Sequence, residues 1–115
     1  MPKMISLDKE LIRINSAKNT IECSTSQGRS WITRYSSSSC GTFVDLVVHN
    51  NELIAATTKG IYRSTSQGRS WISLYTSSSC GEFVCLVDSG KELLAETSKG
   101  LYCSTSGGRS WIKRR

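Results

Sequence analysis

The sequence predicts an all-β chain of three units, each a four-stranded antiparallel sheet, and three observations predict it. Trp31, Trp71 and Trp111 stand forty residues apart. Around them, Ser24 to Ile32 (STSQGRSWI) is identical to Ser64 to Ile72, and Ser104 to Ile112 differs only by Gly107 in place of Gln. Between them, short apolar and β-branched runs alternate with clusters of Gly, Asn and Ser, the pattern of strands and turns rather than of helices. A period of this length marks an array in which each repeat is one supersecondary unit. The chain is therefore read as a single domain, 1–115, of three repeats at approximately 1–35, 41–75 and 81–115.

The middle repeat shows its strands most plainly. Phe43 to Val48 (FVDLVV) is largely apolar and reads as a buried inner strand. The polar turn His49-Asn50-Asn51 leads into Glu52 to Thr57 (ELIAAT). Thr58-Lys59-Gly60 turns the chain into Ile61 to Ser64, and Ser66-Gln67-Gly68-Arg69 turns it again into a fourth strand, Ser70 to Tyr75. The third repeat follows the same plan from Phe83. In the first, Met4 to Leu7 is the inner strand, Asp8-Lys9 the turn and Glu10 to Asn15 the second strand. Its next turn, Ser16 to Asn19, is longer, and Thr20 replaces the glycine found at Gly60 and Gly100.

Leu53-Ile54-Ala55-Ala56-Thr57, followed by Gly60-Ile61-Tyr62-Arg63-Ser64-Thr65-Ser66-Gln67-Gly68-Arg69-Ser70-Trp71, resembles a BNR or Asp-box repeat. That motif, Ser-x-Asp-x-Gly-x-Thr-Trp, marks the blades of sialidase-like and sortilin-like β-propellers. It falls on Ser24, Gly28 and Trp31, on Ser64, Gly68 and Trp71, and on Ser104, Gly108 and Trp111. Ser26, Ser66 and Ser106 stand where the motif has Asp. A serine hydroxyl accepts from nearby backbone N–H groups as a carboxylate does, more weakly, and glycine supplies the positive φ. The tryptophan is expected to pack on the neighbouring unit.

The resemblance implies that each unit is a propeller blade. Closed propellers have about four to eight blades, so three make an open wedge with an apolar face bare at each end. Two chains give six, and a two-fold homodimer is the simplest closure. The alternative is a monomeric β-trefoil, which also uses three four-stranded units of this size.

The charged and histidine residues argue against catalysis. A sialidase needs an arginine triad, a tyrosine–carboxylate pair and an aspartate placed asymmetrically, whereas Arg29, Arg69 and Arg109 belong to the repeated turn. One histidine, His49, and no Gly-rich phosphate loop complete the case for a non-enzyme. The net charge is +6, much of it repeat-copied surface, and no nucleic-acid module accompanies it. Cys23, Cys40, Cys80, Cys85 and Cys103 are odd in number and lack zinc spacing, so reduced thiols are expected, with no metal and no cofactor. Without an apolar run of membrane-spanning length or a signal-peptide pattern, a cytoplasmic location is expected.

Binding is the functional expectation. The crossings between units and the second turns share one face of a propeller. That face gathers Tyr35, Ser38, Tyr75, Ser78, Lys59 and Lys99, groups suited to a carbohydrate or a small anion. The alternative is a purely structural scaffold. Positions that break the repeat mark specialisation: Asp45 against Cys85, Ala56 against Glu96, Thr42 against Glu82, and Arg63 against Cys23 and Cys103. Asp45 would place paired carboxylates in the channel of a dimer.

Overall fold

A computed structural model describes residues 4–7, 9–15, 17–36, 40–76 and 80–114. The first sheet holds β1 (Met4–Leu7), β2 (Glu10–Asn15), β3 (Thr20–Ser24) and β4 (Ile32–Tyr35). The second holds β5 (Phe43–His49), β6 (Glu52–Thr57), β7 (Gly60–Ser64) and β8 (Ile72–Tyr75). The third holds β9 (Phe83–Asp88), β10 (Leu93–Thr97), β11 (Gly100–Ser104) and β12 (Ile112–Lys113). Each sheet is antiparallel with its strands in sequence order, and no helix occurs among the described residues.

The turns explain where strands begin and end. Asn50 and Asn51 join β5 to β6 at φ 52° and 64°, a mirror-image turn whose twist suits a two-residue hairpin and which asparagine tolerates. Gly60 has φ 136°, and a Cβ there would stand 2.0 Å from the Tyr75 carbonyl oxygen, so only glycine fits. In sheet one the longer turn removes that constraint. Asn15 Oδ1 accepts from the N–H groups of Ala17 and Lys18, and Asn19 takes the positive φ, 55°, leaving Thr20 to enter the strand. The fourth strand of sheet two starts at Ile72, not at Ser70, because the Ser70 N–H donates to Ser66 Oγ instead of to a ladder.

Each sheet has two faces, here termed leading and trailing. The leading face of sheet two (Phe43, Leu46, Leu53, Ala55, Tyr62) packs on Ile12, Ile14, Ile21 and Cys23, the trailing face of sheet one. Its own trailing face (Val47, Ile54, Ala56, Ile61) packs on Phe83, Leu86, Leu93, Ala95 and Tyr102 of sheet three. The first strands lie side by side, β5 against both β1 and β9. Aromatic rings repeat across both junctions. Tyr35 meets Phe43 edge-on at 6.0 Å, with Trp71 beyond it, and Tyr75 meets Phe83 at 6.2 Å, with Trp111 beyond it. The described sheets do not close into a barrel, the feature a trefoil requires.

Polar links also join the sheets. Arg34, 5 % exposed at its side chain, donates to both carboxylate oxygens of Glu10 at 2.8 and 3.2 Å and to the Gln67 carbonyl of sheet two at 3.1 Å. Asp45 is buried and accepts from the N–H groups of Leu46 at 2.9 Å and Leu86 at 2.8 Å. It thus spends its carboxylate tying β5 to β9. His49 Nδ1 lies 2.8 Å from Asp88 Oδ1.

Candidate functional site

The repeated turn is built on two serines per sheet. Ser64 Oγ accepts from the N–H groups of Ser66 and Gly68, and Ser66 Oγ accepts from Ser70 N–H at 2.9 Å. The same bonds recur from Ser24 and Ser26, and from Ser104 and Ser106. The two hydroxyls therefore hold the same three backbone N–H groups at all three turns. Gly28, Gly68 and Gly108 have φ between 94° and 104°. Trp71 and Trp111 donate Nε1–H to the carbonyls of Gly68 and Gly108. Trp31 differs: the Arg13 guanidinium lies 4.0 Å over its ring.

At the loop end, a cleft of about 280 Å³ opens between sheets two and three, lined by Thr57, Lys59, Thr76, Gly81, Glu82, Phe83 and neighbours. Paired bonds fix its walls. Thr58 exchanges hydrogen bonds with Thr42 (N–H to carbonyl, and Oγ1 from N–H), and Ser98 does the same with Glu82. Of the residues expected on this face, Lys59 lines the cleft and Lys99 occupies the matching turn of sheet three. Tyr35 and Tyr75 are half-buried in the aromatic junctions, their hydroxyls 3.4 and 3.3 Å from the Sγ of Cys40 and Cys80. Ser38 and Ser78 lie outside the described residues.

The two outermost faces form the second candidate surface. Val47 is 5 % exposed, while its copy Val87 is 49 % exposed on the trailing face of sheet three. That face carries Arg114, Glu92 and Cys103, with Arg114 Nη2 donating to Glu92 at 3.0 Å and to Cys103 Sγ at 2.9 Å. Arg34, Glu10 and Cys23 occupy the same three places in sheet one, where sheet two covers them. On the leading face of sheet one, pairing register puts Arg13 and Glu22 where sheet two has Ala55 and Tyr62. Arg13 and Glu22 form an ion pair at 2.9 Å. The bond from Asn15, with Arg13 beside it, holds the Glu22 carboxyl below its usual range.

All five cysteines are free thiols, four of them buried, and no cluster of three potential metal ligands occurs among the described residues. No described helix is long and apolar enough to cross a membrane. Sequence reasoning missed Arg34, Asn19 and the Arg114–Glu92–Cys103 group. For the two arginines a signal was present: Arg34 and Arg114 both stand three residues after a repeat tryptophan, where the middle repeat has Leu74. Compared with known proteins, the chain matches no family model and no curated sequence.

Proposed function

We propose that the chain is a non-catalytic β-propeller interaction module whose ring is completed by a second copy. Sheet three of each chain covers sheet one of the other, giving six blades, within the range of about four to eight found in closed propellers. The observation that carries this reading is the copied arginine–carboxylate–thiol group. Sheet one buries it under sheet two, and sheet three bears the same group on an open face. By that equivalence Arg114 reaches the Gln27 carbonyl of the second copy, as Arg34 reaches that of Gln67. Glu96, the copy of Ala56, then stands opposite Arg13, which holds the place of Ala55. Opposite charges at matched positions favour this pairing of unlike faces over stacking of like ones.

The completed ring presents its loop end to a small polar ligand, a carbohydrate or a small anion. The hydroxyl- and lysine-bearing cleft between sheets two and three supports that part of the reading. Light scattering tests the assembly. The expected mass is twice the chain's 12.7 kDa, and Val87→Asp should give folded single chains. A native species at one chain mass would overturn the closure.

A further inference from the structure

The two junctions at the loop end are copies of each other, yet among the described residues a side chain bridges the backbone only at that between sheets one and two. Between sheets one and two, the Asn19 carboxamide donates from Nδ2 to the Gly41 carbonyl at 3.0 Å, and its Oδ1 accepts from the Phe43 N–H at 2.8 Å. Thr42 turns both its N–H and its carbonyl to Thr58, so the Gly41 carbonyl and the Phe43 N–H on either side of it face the opposite way. Both bonds therefore fall on one edge of the carboxamide, the edge where N–H and C=O lie side by side.

Between sheets two and three the same backbone recurs. Gly41 and Gly81 share φ 85°, Phe43 pairs with Thr57 as Phe83 pairs with Thr97, and the Thr42–Thr58 bonds are matched by Glu82–Ser98. The residue in Asn19's place is Lys59, which has no carboxamide. Among the described residues no side chain bonds to the Gly81 carbonyl and Phe83 N–H, and both residues line the cleft. Resting on the reading of the loop end as a ligand face, we infer that this cleft binds a ligand through a primary carboxamide, seated as Asn19 seats its own.

The bonding pattern sets the selectivity. A carboxylate can accept from Phe83 but offers Gly81 a lone pair instead of a proton. A trans secondary amide points its N–H and C=O in opposite directions and cannot span both groups. Lys59 and Glu82 both line the cleft.

Backbone amide NMR titration of the full chain with acetamide, acetate and glucose tests this. Acetamide should shift the Phe83 amide at one site per chain and bind at least roughly tenfold tighter than acetate, the penalty for one unmet acceptor. Lys59→Asn should abolish the shift by filling the cleft internally. Asn19→Ala, checked for folding by its amide spectrum, should add a second site at Phe43. Acetate binding as well as acetamide, or acetamide acting away from Phe83, would overturn the inference. Glucose or acetate shifts with acetamide silent would remove the carboxamide and leave the ligand face. Silence from all three would remove both, with the dimer mass judged separately.

Discussion

Ser64 accepts two backbone N–H bonds while only 1 % exposed. Truncation would orphan both donors, so Ser64→Ala should destabilise the chain by about 1–3 kcal/mol, read from the midpoint of urea unfolding at unchanged slope. Asp88 supplies a titrating link. The bond from His49, with help from the Gly90 N–H, holds its carboxyl below the ordinary value near 3.8. A depressed carboxyl stabilises the fold above that value and loses its contribution as pH falls through the lower, folded-state range. Asp88→Asn should therefore flatten the acid limb of a pH–stability profile. At this scale the turn serines and glycines were legible, since spacing alone identifies them. Asn19 was not, because it sits in the one turn that departs from the repeat, and its partners lie in the next sheet.

The strands were legible as elements because each is a short apolar run closed by turn residues. Met4–Leu7, Glu10–Asn15 and Glu52–Thr57 begin and end as expected. The fourth strand of sheet two came out shorter since serine hydroxyls, which pattern cannot weigh, compete with the ladder for N–H groups. How sheets meet was less legible: Asp45 was expected in the channel of a dimer but ties β5 to β9, and nothing in the linear pattern marked Arg34 as a link between sheets. The junctions are also not equivalent. Sheet one uses Arg34 with Glu10, whereas sheet two has Leu74 packed in the core at the matching place. Glu10→Ala would leave the Arg34 guanidinium buried without its partner, at a cost of about 3 kcal/mol. Replacing both by leucine should cost far less, as Leu74 shows that the site accepts an apolar side chain. Thermal melts of the two variants decide it.

For the whole molecule, three sheets packed in sequence leave one leading and one trailing face uncovered among the described residues, the first carrying Arg13 with Glu22 and the second Arg114 with Glu92. The proposed association through unlike faces would make stability depend on concentration, so melting temperature should rise with protein concentration and fall with Val87→Asp to a value independent of it. The arrangement within one chain has a further result, seated in Asp45. Leu86 belongs to β9, yet its N–H is held by a carboxylate of another sheet. Fraying within sheet three does not free that proton; sheets two and three must part first. Its rate of exchange with deuterium is thus a gauge of how often the wedge opens at that seam, independent of how firmly either sheet holds its own strands.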